Sequence, residues 1–187
     1  ALIDGKGRQI VWTWLVDNPA DDFKIYGWSG VYGLPRSLWL QDDGTLGIAP
    51  VEELKRLRKN EKTWSNLRLA DGETKPLEGF TGDCCELELT TDYASAKNFE
   101  LNVRVSDDEK EKTTIRYDAE TKELVFDASE SSLEPFNGFK EHVDVEHAPF
   151  ALKENEPLSL RVFVDGPVVE VFANNRQAIT RRVYPSM

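Results

Sequence analysis

The sequence predicts an all-β chain: a sandwich of antiparallel strands, preceded by a short helix and by further strands. Three observations lead there. Short segments of alternating apolar and polar residues recur at roughly 8–12-residue spacing from about Trp64 onward. Turn-forming pairs such as Asp43-Gly44 and Asp165-Gly166 punctuate them. A single stretch, "PVEELKRLRKN", has the charge order of a helix.

In chain order, "DGKG" (Asp4 to Gly7) is a turn after the short strand "ALI", and "RQIVWTWLV" (Arg8 to Val16) is the next strand. A lone short strand with unpaired backbone is an unnatural way to open a domain, so the chain is expected to begin inside a sheet and to expose apolar surface near Trp12. "DNPADDFKIYGWSG" is irregular. "VYGLPRSLWLQDDGTLGIAP" is a hairpin turning at Asp43-Gly44, with Pro35 marking an edge or a bulge. Pro50 suits the first position of a helix over 50–62: Glu52 and Glu53 favour its start, and basic residues its end. Val51, Leu54 and Leu57 make its narrow apolar stripe. The strands after it are "CELELTT", "FELNVRVS", the hairpin "TTIRYDAETKELVFDAS" with its tip at Asp118 to Lys122, the hairpin "LSLRVFVDGPVVEVFANN" (Leu158 to Asn175), and "QAITRRVY". "SDDEKEKTT" (Ser106 to Thr114) is expected to be an exposed loop.

The chain has 187 residues, 40% of them apolar, enough for a core in one domain or in one plus a fragment. A formal net charge of −11 argues against a nucleic-acid partner, because phosphate contacts would be repulsive. No apolar run approaches the roughly 18 residues of a membrane-spanning helix. Cys84 and Cys85 are the only cysteines; adjacent cysteines rarely bridge, and they form no metal spacing. No cofactor motif is present: there is no phosphate-binding glycine loop, no G-x-S-x-G and no H-E-x-x-H.

Glu170, a carboxylate among apolar residues, is the obvious candidate acid. With Asp165-Gly166 as a two-residue turn, Val164 pairs with Pro167 and Arg161 lies opposite Glu170. That is a structural cross-strand ion pair worth about 0.2–1 kcal/mol. Glycoside cleavage needs a second carboxylate about 5–9 Å away, and none is supplied locally. His142, Asp144 and Glu146 share a strand face in "EHVDVEH", and a charged edge strand accounts for them without a metal. Trp12 and Trp14 share parity, so both are expected on one side of their strand. No catalytic and no metal-binding residue is assigned.

Two stretches resemble a known family. "GWSGVYGLPRSLWLQDDGTLGIAPVEELKRLR" (Gly27 to Arg58) is similar to the segment of glycoside hydrolase family 32 where the last propeller blade passes into the C-terminal domain: Trp-x-Gly-Val, Leu-Pro-Arg-x-Leu, then a turn and Pro-x-x-Glu-Leu. "LRVFVDGPVVEVFANNRQAITRRVYP" (Leu160 to Pro185) is similar to its C-terminal signature, an Arg-x-Phe-Val-Asp hairpin followed by Val-Glu-Val-Phe-x-Asn. The resemblance implies the end of a five-bladed β-propeller over 1–49, a linker helix over 50–62 and a β-sandwich over 63–187. The family comprises invertases, inulinases, levanases and fructan exohydrolases, which cleave terminal β-fructosides with retention. Its catalytic motifs, W-x-N-D-P, R-D-P and E-C, are absent here.

The expectation is therefore a non-catalytic C-terminal portion. Its partners would be the catalytic propeller of the same enzyme, fructose-containing sugars and, as in some relatives, a second copy in a homodimer, with no nucleic acid, membrane or cofactor. The resemblance also makes Trp14, and less directly Trp12, a wall of the substrate pocket in the intact enzyme, with Thr13 standing where the family has Gly. It favours a secreted or periplasmic location. The alternatives are a stand-alone lectin-like module and a structural subunit of a separate catalytic chain.

Overall fold

A computed structural model describes residues 1–16, 27, 29–92, 96–134 and 143–186. The described chain is built of antiparallel sheets. Strands β1 (Leu2–Ile3), β2 (Gln9–Val11), β5 (Arg36–Leu40) and β6 (Leu46–Pro50) form a first sheet in the order β1-β2-β5-β6. Strands β3 (Trp14–Leu15) and β4 (Val31–Tyr32) form a two-stranded ribbon beside it. A 3-10 helix, Glu52–Leu57, follows.

The sandwich has two four-stranded sheets. One is β11 (Val145–Pro149), β10 (Glu123–Asp127), β9 (Thr113–Asp118) and β8 (Asn98–Val103); the other is β14 (Gln177–Arg182), β13 (Val168–Ala173), β12 (Leu158–Asp165) and β7 (Cys84–Thr91), each in that order. Their inner faces make the core. Leu158, Leu160, Val162 and Val164 alternate inward along β12 and meet Ile115, Tyr117, Leu124 and Phe126 of the facing sheet. Tyr117 packs edge-on against Phe150, ring centroids 5.6 Å apart, and its hydroxyl accepts the Leu152 N–H at 3.3 Å. A fully buried Val, Leu or Phe of this kind contributes about 1.5–3 kcal/mol. The adjacent cysteines are free. Cys84 is exposed, while Cys85 packs against the core.

Strand β13 is buried on both faces. Val169, Val171 and Ala173 face the core, whereas Glu170 and Phe172 on the opposite side are equally buried. The first sheet and the ribbon lie against that outer side. The Ile48 N–H donates to the Asn175 carbonyl at 2.8 Å, and Lys153 pairs with Asp43 at 2.8 Å. Double burial explains why "VVEVFA" is a nearly continuous apolar run.

Several expectations need correction. "RQIVWTWLV" is not one strand. Val11 pairs with Arg36 and Trp14 with Tyr32, so Trp12 and Thr13 face three residues, Gly33, Leu34 and Pro35. That extra residue is a bulge, placed where Pro35 has no N–H for the ladder. Strand β5 after it is central rather than an edge. Pro50 ends β6 opposite Arg36 and does not start a helix; the Val51 N–H is held by the Pro35 carbonyl at 3.0 Å. The helix is therefore a short 3-10 segment, closed by i→i+3 bonds such as Leu54 N–H to the Val51 carbonyl. Residues 58–83 contain no strand, and the strands of the sandwich begin only at Cys84. Ser106 to Thr114 is not wholly exposed either: Glu111 is buried, accepting the N–H groups of Leu133 at 2.7 Å and Ser186 at 3.0 Å.

Candidate functional site

The bulge between β4 and β5 aims backbone groups away from their own sheet, and they meet Glu170. The Leu34 N–H donates to Glu170 Oε1 at 2.6 Å. Arg36 Nη2 donates to Oε2, and so does the Thr180 hydroxyl of β14, at 3.0 Å. Arg36 Nη2 also reaches Thr180 Oγ1 at 2.9 Å and Thr13 Oγ1 at 3.2 Å, while the guanidinium lies over the Phe172 ring, 5.0 Å from its centroid. Both charged side chains are only 3% exposed. Gly33 makes the close approach feasible: a Cβ there would lie 2.4 Å from Thr13 Oγ1 and 3.0 Å from Glu170 Oε2.

Burial pushes the Glu170 carboxyl above its ordinary value, opposed by the Leu34 N–H, the Arg36 charge and the Thr180 hydroxyl. Burial likewise lowers the Arg36 guanidinium, which Glu170 opposes. Desolvation on both sides makes this an arrangement that is costly to break.

The Arg161–Glu170 pair does not form. The tip of the β12–β13 hairpin is Gly166-Pro167, with Asp165 opposite Val168, so Glu170 faces Phe163 and Arg161 faces Phe172. Proline cannot donate to the ladder, and Gly166 takes the positive φ of 54° that the tip needs. Arg161 binds Glu86 instead, with Nε at 2.9 Å and Nη2 at 2.7 Å. Glu86 also receives Arg58, the residue that ends the 3-10 helix, at 2.6 and 2.8 Å. Burial raises the Glu86 carboxyl, but the two guanidinium groups outweigh it and hold the group below its ordinary value.

Trp14 is 61% exposed, and Trp12, separated from it by the break between β2 and β3, is 42% exposed. Tyr32, directly opposite Trp14 in the ribbon, is 76% exposed. Trp14 lies over Gly30, where a Cβ would be 2.1 Å from Nε1. A shallow hollow of about 380 Å³ lies between the ribbon and the β12–β13 tip, lined by Tyr32, Leu34, Phe163, Pro167 and Arg182 among others.

His142 lies outside the described residues. Glu146 pairs with Arg181 at 2.8 Å, and His147 Nδ1 lies 3.0 Å from Glu123. Among the described residues no three His, Cys, Asp or Glu side chains are grouped to hold a metal ion. The residues to which sequence reasoning gave no part in the site are Arg36, Gly33 and Thr180, and Thr13 was noted only for standing where the family has Gly. The available signal was Arg36 itself, the one charged residue in the mostly apolar "LPRSLWL".

The profile of the family described as "Glycosyl hydrolases family 32 C terminal" matches residues 53–187. Over 97% of its length the chain is 30% identical to a fructan 1-exohydrolase of Triticum urartu and 29% identical to the β-fructofuranosidase insoluble isoenzyme 4 of Oryza sativa subsp. japonica. It spans 36% and 37% of those proteins, little more than a third of their length. The structure of sucrose-6-phosphate hydrolase from Lactobacillus gasseri is similar with a TM-score of 0.74 at 25% identity, over 97% of this chain and 35% of that one. Fructan 1-exohydrolase IIa from Cichorium intybus gives 0.75 at 21% identity, over 98% and 41%. The chain belongs to glycoside hydrolase family 32, of which it carries the C-terminal part.

Proposed function

We propose that this chain is the non-catalytic C-terminal portion of an enzyme that cleaves terminal β-fructosides with retention. In this reading residues 1–49 complete a catalytic propeller, 50–62 link, and 63–187 form the supporting sandwich, which in a dimer would also meet its copy. The two carboxyl groups of retaining hydrolysis, about 5 Å apart, would come from the propeller. Trp14, with Trp12 beside it in sequence, would border the fructose-binding pocket. The observation that carries the reading is the match: nearly the whole chain aligns, yet it fills little more than a third of relatives named as fructan exohydrolases and β-fructofuranosidases. The burial of Glu170 against Arg36 supports it, because an acid already bonded to three donors is not poised to protonate a leaving group.

The test is an assay of the isolated 187-residue polypeptide on sucrose and inulin. No fructose should be released, and release would overturn the reading. A stand-alone sugar-binding module is the second reading, favoured by the exposed rings of Trp12, Trp14, Tyr32 and Trp39. Saturable binding of inulin oligosaccharides by this chain alone would select it.

A further inference from the structure

The ribbon that carries Trp14 is too short to orient itself. Each of its strands has two residues, and isolated two-stranded pairings are marginal at best. Its orientation must come from what it is tied to, and both strands are tied at the same point. Thr13, which precedes Trp14, accepts Arg36 on its hydroxyl and the Gly33 N–H on its carbonyl, at 2.8 Å. Gly33 follows Tyr32, and the next N–H, that of Leu34, ends on Glu170. The residues beside Trp14 and Tyr32 thus converge on one buried ion pair, and the acid of that pair belongs to the sandwich.

We propose that Glu170, acting through Arg36 and Thr13, is a positioning residue. It sets the orientation of the Trp14–Tyr32 aromatic pair, so that the sandwich fixes a surface on the neighbouring ribbon. Trp14 and Tyr32 stand directly opposite each other, so their side chains share one face, with the Trp14 indole resting on Gly30. Two adjacent exposed rings, one bearing a phenolic hydroxyl, suit the apolar face and the hydroxyls of a sugar ring. This last step rests on the reading of Trp14 as a sugar-facing residue; the positioning itself does not.

The test uses the full 187-residue chain labelled with 5-fluorotryptophan. Five tryptophans give five fluorine resonances, and Trp14→Phe identifies the relevant one. Thr13→Val removes the hydroxyl without changing the side-chain shape. Loss of a hydrogen bond to a charged group implies a rise of about tenfold in the displaced ribbon population. The Trp14 resonance should therefore shift and broaden in Thr13→Val and in Glu170→Gln, and return in Thr13→Ser. Ile179→Ala, which weakens the sandwich core without touching the pair, should leave it unmoved. An unchanged Trp14 signal in folded Thr13→Val overturns the proposal, as does an equal change in Ile179→Ala. The sugar-facing step is read separately in the intact enzyme, where the propeller completes the pocket: a Trp14 signal that follows Thr13 but ignores fructose there removes only the sugar-facing reading.

Discussion

The Arg36–Glu170 pair should behave as a lock that is expensive to break on one side. Glu170→Gln leaves the Arg36 guanidinium 3% exposed and facing a neutral amide. Removing one member of a buried pair costs about 3–5 kcal/mol. In a chain of this size each kcal/mol lowers the melting temperature by about 2–4 °C, so a fall of about 10 °C is expected. Arg36→Met should cost a similar amount, because it strands the carboxylate. The double variant Arg36→Met/Glu170→Leu strands neither charge. What it leaves without a partner are the buried Leu34 N–H, at about 1–3 kcal/mol, and the half-buried Thr180 hydroxyl. The double variant should therefore be more stable than either single, with a coupling of several kcal/mol. Urea unfolding of the four proteins, followed by circular dichroism, closes the cycle. If the single costs simply add, the two side chains are independent and the lock does not exist.

Other outcomes follow from the same geometry. Gly33→Ala should destabilise by about 1–3 kcal/mol through overpacking against Thr13 and Glu170, and Thr13→Ala in the same chain should restore part of it in a thermal melt. Glu86 and Glu170 should bend the acid limb of the stability curve in opposite senses. Glu86 is held below its ordinary value, so its stabilisation is present above about pH 4.3 and lost as pH falls through its folded value. Glu170 is raised, so its native form binds protons more readily, and stability falls as pH climbs from about 4.3 to the raised value. Titrating the urea midpoint of Glu86→Gln and Glu170→Gln from acid to neutral should show slope changes of opposite sign; changes of the same sign would contradict the assignment. A polypeptide of residues 63–187 should melt well below the full chain and bind a hydrophobic dye, because Phe172 and Glu170 lose their cover. Equal melting temperatures would show that the sandwich does not need that cover.

The alternating strands were legible because their partners are near in sequence and one face of each meets the core. β12 could be read residue by residue from Leu158, Leu160, Val162 and Val164. The β12–β13 register was not, since "DGP" offers two adjacent two-residue turns and only the missing proline N–H chooses between them. A hairpin slipped by one turn position sets Arg161 opposite Glu170, which makes the wrong arginine its natural partner. The true partner, Arg36, lies 134 positions away, and no local pattern reports a contact of that span. The bulge was half visible, because Pro35 announced a break in the ladder but not where the freed Leu34 N–H would point.

A buried ion pair is a poor way to gain stability when an apolar pair would do, so its presence at β13 calls for another reason. Three donors from three segments arrive at one spot: the Leu34 N–H from the bulge, Arg36 from β5 and the Thr180 hydroxyl from β14. Only a carboxylate can accept all three, and an apolar residue would leave the backbone donor buried and unmatched. Glu170 thus selects one docking of the first sheet and ribbon on the sandwich and penalises shifted alternatives. The family match begins at residue 53, but the packed unit does not, because β13 is completed by residues 13, 33, 34 and 36. The physical boundary therefore lies upstream of the homology boundary, and it is set by where the outer face of β13 finds its cover.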